Sequence, residues 1–202
     1  MTPQKLAFLQ KSHAESIASK EDSRADEIVQ MITKAVSEHL SAQNLRTDMS
    51  VRELSARLFK LEARNYRNAP SFVDRYAHFY LKGVELLPTT SPKETIPEPL
   101  LSWMSRFLVD FNEVTDQDWL LENLQRSLLA KGERLAELVH QSAPINGRSK
   151  VEPRQLTSYF NRFLRWALTG GRPGPSIINT LILLGPAISR RRLAAAQDFL
   201  SY

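Results

Sequence analysis

Apolar residues recur at steps of three and four from one end of this 202-residue chain to the other. Leu6, Leu9, His13 and Ile17 form the first such stripe, Ile28, Ile32, Val36 and Leu40 the second, and Leu54, Leu58 and Leu61 the third. That is the spacing of one helix face, and no stretch alternates with period two for long enough to propose a strand. Local signals agree. Thr2-Pro3 reads as a cap and first helical residue, and Ser50 with Glu53 three positions later reads as a capping box. The fold class expected is all-α. Hydrophobic residues make up 42% of the chain, enough to bury a core. Seven glycines without a Gly-rich phosphate loop argue against a nucleotide-binding sheet. The absence of cysteine excludes disulfides, thiolate metal sites and cysteine nucleophiles.

The helical pattern stops once. Pro88, Pro92, Pro97 and Pro99 fall within one short stretch together with Gly83, Thr89, Thr90 and Ser91. Proline removes a backbone donor and restricts its predecessor, so this stretch reads as a linker or extended crossover. Two consecutive helical bundles are expected: residues 1–82, a linker at 83–99, and residues 100–202. In the first, Asn68 to Leu81 holds Phe72, Tyr76, Phe79 and Tyr80, a cluster that could stack on bases but at helical spacing belongs in a core. In the second, Leu101, Met104, Phe107, Leu108 and Phe111 point inward. Thr115 with Asp118 is expected to cap a helix bearing Leu120, Leu121, Leu124 and Leu128 that ends at Gly132, before a further stretch through Leu135, Leu138 and Val139.

The last fifty residues carry the sharpest punctuation. Pro153 opens a helix that stops at Gly170-Gly171, the turn Arg172-Pro173-Gly174-Pro175 follows, and Ser176 caps an apolar helix. Gly185-Pro186 is expected to end that helix, and Ser189 to start a final one with Arg190, Arg191 and Arg192 in its first turn. Three cations there oppose the helix dipole, which favours an anionic partner. The apolar run from Ile177 to Ile188 is interrupted by Asn179, Thr180, Gly185 and Pro186, too short for the ~20 residues of a membrane span. No membrane partner is expected.

Charge is unevenly spread. The net is +5, yet from Lys150 to Tyr202 eight basic residues face two acidic ones, and the other 149 residues carry 19 basic and 20 acidic side chains. Such a basic lobe is the footprint of phosphate contacts and points first to nucleic acid, although its arginines also suit an acidic protein partner. Catalytic chemistry finds no foothold. His13, His39, His78 and His140 lack a second histidine at i+3 or i+4, so neither a metal site nor a catalytic residue is expected. The turn at Gly170–Pro175 reads either as a plain corner or as a place where backbone N–H groups and Arg172 meet an RNA backbone.

The C-terminal residues carry a resemblance. Phe163-Leu164-Arg165-Trp166-Ala167-Leu168-Thr169-Gly170, then Gly174-Pro175, then Leu183-Leu184-Gly185-Pro186 and Arg192-Leu193, resemble the end of glutamyl-tRNA synthetases. That family shows an Arg-x-Ala-Leu-Thr/Ser-Gly, a Gly/Ser-Pro shortly after, and a Leu-Gly before its last helix. The opening Lys5-Leu6-Ala7-Phe8-Leu9-Gln10-Lys11-Ser12-His13-Ala14 resembles the segment that follows the catalytic half. Ser50 to Leu81 fits the middle of the same region. Trp166, the Gly-Gly pair and the Pro-Gly-Pro detail look most like fungal mitochondrial-type members.

The resemblance implies the all-helical, tRNA-binding half of such an enzyme, an anticodon-binding α-helical cage. The partner it implies is tRNA, specifically tRNA-Glu. Its expected contacts are Arg165, Arg172, Arg190, Arg191 and Arg192, with Lys150 and Arg154 on phosphates. Trp166, Gly170, Gly174, Pro175 and Gly185 are expected to build the motif's structure. The family forms glutamyl-adenylate in a Rossmann-type domain with a His-Ile-Gly-His-like motif and a Lys-Met-Ser-Lys-like loop, and neither occurs here. No cofactor is therefore expected in this chain, because ATP and Mg would belong to the absent catalytic domain. Ligase activity would need a separate catalytic chain. The alternative is a helical protein-interaction domain whose basic lobe meets an acidic partner. Localisation is mitochondrial by resemblance. Glu15, Glu21 and Asp22 with no arginine before Arg24 make no clear transit peptide, so a cytoplasmic address is expected if Met1 is the true start.

Overall fold

The structure is a computed structural model that describes residues 3–19, 23–82, 92–110, 114–141 and 152–201. Among them are eight α-helices and no strand: α1 (Pro3–Ser19), α2 (Ser23–His39), α3 (Val51–Glu62), α4 (Ala69–Tyr80), α5 (Glu98–Asp110), α6 (Leu121–Gln141), α7 (Pro153–Thr169) and α8 (Ile177–Ser201). The chain divides into two compact units, Met1–Gly83 with Pro173–Pro175, and Val84–Arg172 with Ser176–Tyr202.

In the first unit α2 packs on α3 and α4, and α1 packs on α3 and the short 3-10 turn that follows it. The expected Ser50 cap forms, and Asn68 supplies a second one. Ser50 Oγ accepts from the Glu53 N–H at 3.1 Å, and Asn68 Oδ1 accepts from the Ser71 N–H at 2.9 Å, each satisfying one orphan donor of a helix start. Ile32, Val36, Leu54, Leu58, Phe72 and Tyr76 are buried. One expected stripe turns: Leu61 is exposed, and the carboxylate-bearing Glu62 takes the inward place beside Leu58 and Phe59. It can do so because the Tyr76 hydroxyl and the Asn65 amide both donate to Glu62 Oε2 at 2.6 Å. Behind them Ser55 and Tyr80 share a buried hydroxyl–hydroxyl bond of 3.0 Å. The aromatic segment of α4 is thus core, with Phe72 and Tyr76 ring centroids 4.6 Å apart. Burial, reinforced by the Glu62 carboxylate, pushes the Tyr76 phenol up to about 12, and burial does the same to Tyr80.

A two-residue antiparallel bridge, Leu45 to Leu81, ties the α2–α3 connection to the end of α4. The Arg46 and Lys82 amides donate across it at 2.8 Å. Beside it the Arg46 guanidinium forks onto both Asp48 oxygens, and that bond holds the Asp48 carboxyl below its ordinary value.

In the second unit folding resumes earlier than the proline spacing indicates. Residues 83–91 lie outside the described set, but a 3-10 turn forms at Pro92–Glu94, Pro92 and Ile96 are buried, and α5 begins at Glu98. Proline is tolerated there because Pro99 sits in the first turn of α5, where its missing N–H has no helical partner to lose. Helix α5 packs against α6, α7 and α8, and α7 against α8. Leu100, Met104, Leu124, Leu135, Phe163 and Leu184 fill the core; Phe111 lies outside the described residues.

Three expectations in this unit are corrected. Thr115 and Asp118 do bond each other (2.6 Å), but they close a turn ahead of α6, which starts at Leu121. Leu120 and Leu121 are consequently exposed, and Trp119 is the residue that enters the core, its indole N–H donating to the Leu181 carbonyl at 3.1 Å. Gly132 does not end a helix, because no proline or left-handed residue follows it and α6 runs on to Gln141. Nor does a new helix begin at Ser189. Helix α8 continues through a kink at Gly185 (φ 71°, ψ 170°), a backbone region that only glycine enters readily. Pro186, with no N–H to offer the ladder, opens the second segment.

Candidate nucleic-acid interface

The basic lobe is built on α7, its exit and α8. Residues 84–149 hold 6 basic and 10 acidic side chains, and residues 150–202 hold 8 and 2, so the asymmetry lies inside the second unit.

Helix α7 starts with Glu152 as N-cap and Pro153 in its first turn. It ends at Gly170 in the left-handed conformation (φ 64°, ψ 27°). There several of the last carbonyls find partners. Gly170 N–H donates to Trp166 O at 2.8 Å, Gly171 N–H to Arg165 O at 3.3 Å and Arg172 N–H to Thr169 O at 3.2 Å. The Thr169 hydroxyl lies 2.8 Å from Arg165 O and 3.1 Å from Arg172 O. The fourth acceptor, Leu168 O, is reached from α8 by Arg192 Nη1 at 2.8 Å. A guanidinium at a helix C-terminus is favoured by the helix dipole. These backbone donors are committed to the corner itself, so of the two readings of the turn the structural one accounts for them.

The arginines therefore sort into two groups. Arg192 is 2% exposed, and its reach to Leu168 O keeps it inside the unit. The sequence expectation is an RNA contact; the structure places this guanidinium on the end of α7 instead. Arg190 is engaged on its own molecule: Nη1 pairs with Asp116 at 2.7 Å, Nη2 bonds Val114 O, and the guanidinium lies 5.5 Å from the centroid of the Trp119 ring. The kink explains both. With the second segment of α8 opening at Pro186, Arg190 to Arg192 stand a full turn inside it rather than at its start. Successive helical residues diverge by about 100°, so the three cannot share a face. Arg191 alone among them is exposed.

On α7, Arg154 is exposed and Arg165 is half-buried, with Nη1 3.4 Å from Thr180 Oγ1. Arg162, absent from the expected contact set, is exposed as well. By helical spacing Arg154, Arg162 and Arg165 fall within an arc of about 80° on one side of α7. That periodicity, rather than the charge count, was the signal for Arg162. Arg172 is exposed beyond the cap, and Lys150 lies outside the described residues. The motif residues have structural roles: Trp166 stacks on Phe163 with ring centroids 5.9 Å apart, Gly170 is the left-handed cap and Gly185 the kink. Gly174 is half-buried and Pro175 buried.

Two features are absent among the described residues. No group of three or more His, Asp or Glu could hold a metal ion. No helix there is long and apolar enough to cross a membrane.

Over 98% of its length the chain is similar to a solved glutamate tRNA ligase from Elizabethkingia meningosepticum CCUG26117, crystallised in complex with its amino acid. The TM-score is 0.62 at 14% sequence identity, and the match covers 33% of that ligase. The likeness is one of fold, and the chain spans about a third of the ligase it matches. No family model matches the sequence, and no curated protein matches it.

Proposed function

We propose that this chain is a tRNA-binding helical module of the glutamyl-tRNA synthetase kind, with no adenylate-forming chemistry of its own. One observation carries the reading: a fold that follows a third of a glutamate tRNA ligase over 98% of the chain. The basic side of α7 supports it, because Arg154, Arg162 and Arg165 at helical spacing can track successive phosphates while Arg172 and Arg191 extend the positive surface. Arg192 serves the α7 corner and Arg190 pairs with Asp116, so neither is among the proposed contacts. The proposed ligand is tRNA-Glu, met through its anticodon arm, whose unstacked bases offer edges and faces to side chains. ATP, Mg and the ligase reaction belong to a catalytic domain of another chain or of a longer protein. The fungal mitochondrial kinship and a mitochondrial address rest on the Trp166, Gly-Gly and Pro-Gly-Pro details.

The test is binding of the chain to tRNA-Glu and to a non-cognate tRNA across a salt series. Affinity should fall log-linearly with salt, and each of Arg154→Ala, Arg162→Ala, Arg172→Ala and Arg191→Ala should lower the slope by about 1. Preference for tRNA-Glu supports anticodon recognition, whereas equal binding of both tRNAs limits the reading to a general RNA-binding domain. No binding at low salt overturns it.

A further inference from the structure

Helices α6 and α7 do not close on each other along their whole length. Between them, and bounded at one end by the start of α8, runs a cleft of about 800 Å3. Its floor is apolar and buried, with Leu135, Leu156, Phe160 and Ile177 each 7% exposed or less. Its α6 wall runs from Gln125 to Ala136, three turns and about 16 Å of helix. On that wall Leu129 stands 64% exposed, and Leu121, eight residues earlier and one turn beyond the wall's end at Gln125, is 46% exposed. The cleft is thus an elongated trough whose apolar stripe continues past its own end, unlike the closed pocket that buries most of a small ligand.

Gly132 sits in the middle of that wall. A glycine inside a helix destabilises it by about 1 kcal/mol against alanine and is normally explained by something packed close above it. Here a Cβ would meet nothing within 4 Å, so no contact inside the described protein accounts for the missing side chain. What the glycine does provide is a notch in the wall where another backbone can approach.

Charge sets what fits. The α7 wall carries Arg162 and Arg165, and the N-terminus of α8 opens onto the same end through Ser176 and Ile177. The α6 wall answers with Glu133 alone. A long apolar floor, a notch for backbone and a cationic side match an amphipathic helix that lays its apolar stripe inward and holds carboxylates over Arg162 and Arg165. We infer that the α6–α7 trough is a docking site for an amphipathic, acidic-flanked helix of a partner protein. The inference stands apart from the RNA reading, although it shares Arg162 and Arg165 with that surface.

The test is selection on the full chain from a display library of random peptides about four helical turns long, with counter-selection on Gly132→Leu, which fills the notch. Winners should carry apolar residues at three- and four-residue spacing and Asp or Glu along one flank. A synthetic winner should gain helical circular dichroism on binding, and bind both Gly132→Leu and Arg162→Glu at least about tenfold more weakly. Urea unfolding of Gly132→Leu shows that the loss is not one of folding, and Gly132→Ala serves as a second, smaller filler with a graded effect. Winners that bind Gly132→Leu as tightly as the natural chain overturn the proposal, and so do winners with a basic flank. If Gly132→Leu also abolishes RNA binding and a single-stranded RNA displaces the peptide, the trough belongs to RNA and the docking proposal falls while the RNA reading stands. Peptide binding lost with RNA binding intact supports the docking site on its own.

Discussion

The two units solve the same problem differently. Each buries polar groups, but the first pairs side chain with side chain, and the second pairs side chain with the ends and breaks of helices. In the first, Tyr76 and Asn65 converge on Glu62, and Ser55 meets Tyr80. In the second, Arg192 satisfies the last turn of α7, and Trp119 reaches the Leu181 carbonyl just before the kink in α8. The first arrangement stabilises a core and leaves the surface free of obligation. The second uses cationic side chains as structural parts of a basic lobe, so a count of arginines there overstates the charge available to a ligand.

The sharpest way to break this contrast is at the corner. Gly185→Ala forces a Cβ into a conformation reserved for glycine and should destabilise the protein by about 2–3 kcal/mol in urea unfolding. Arg192→Met keeps the apolar stem but strands the Leu168 carbonyl, for an expected loss of about 2–3 kcal/mol. The neighbouring Arg191→Met should stay within about 0.5 kcal/mol and instead weaken RNA binding. Equal stabilities for the two variants would erase the division between structural and surface arginines.

In the first unit Tyr76→Phe removes one donor from a buried carboxylate and should lower stability by about 2 kcal/mol, with a coupling to Glu62→Gln visible in a double-mutant cycle. The phenols also give a pH test. Because Tyr76 and Tyr80 are raised to about 12 when folded, their contribution is complete below the ordinary phenol value near 10 and is lost as pH climbs from there toward 12. Phenolate absorbance should show these two lagging behind more exposed tyrosines, and simultaneous titration of all would contradict their burial. The smallest effect is favourable: Gly132→Ala should raise stability by about 0.5–1 kcal/mol, since α6 needs no glycine for its own geometry.

What could be read from residues alone was local. Ser50 with Glu53, Pro153 and Gly170 mark helix ends through their own backbone chemistry, and the structure places those ends there. The resemblance was legible for the same reason. Its motif residues, Thr169, Gly170, Gly185 and Arg192, are those that build one corner, and a corner constrains sequence tightly. What was not legible depends on partners distant in the chain. Leu61 and Glu62 exchange places because Tyr76 and Asn65 wait for a carboxylate, and Arg190 is claimed by Asp116 seventy-odd positions earlier. Three consecutive arginines look like a cluster in print, yet a helix points them in three directions.

The bend at Gly185 also acts as a ruler. Seven residues separate it from Arg192, close to two full turns, so the guanidinium leaves the helix on nearly the azimuth of the bend itself. Adding or removing one residue between them would swing Arg192 by about 100° and shift it along the axis by about 1.5 Å, out of reach of Leu168. The spacing of this segment is therefore under a stricter constraint than its composition. The interval cannot be lengthened or shortened without uncoupling α8 from the end of α7.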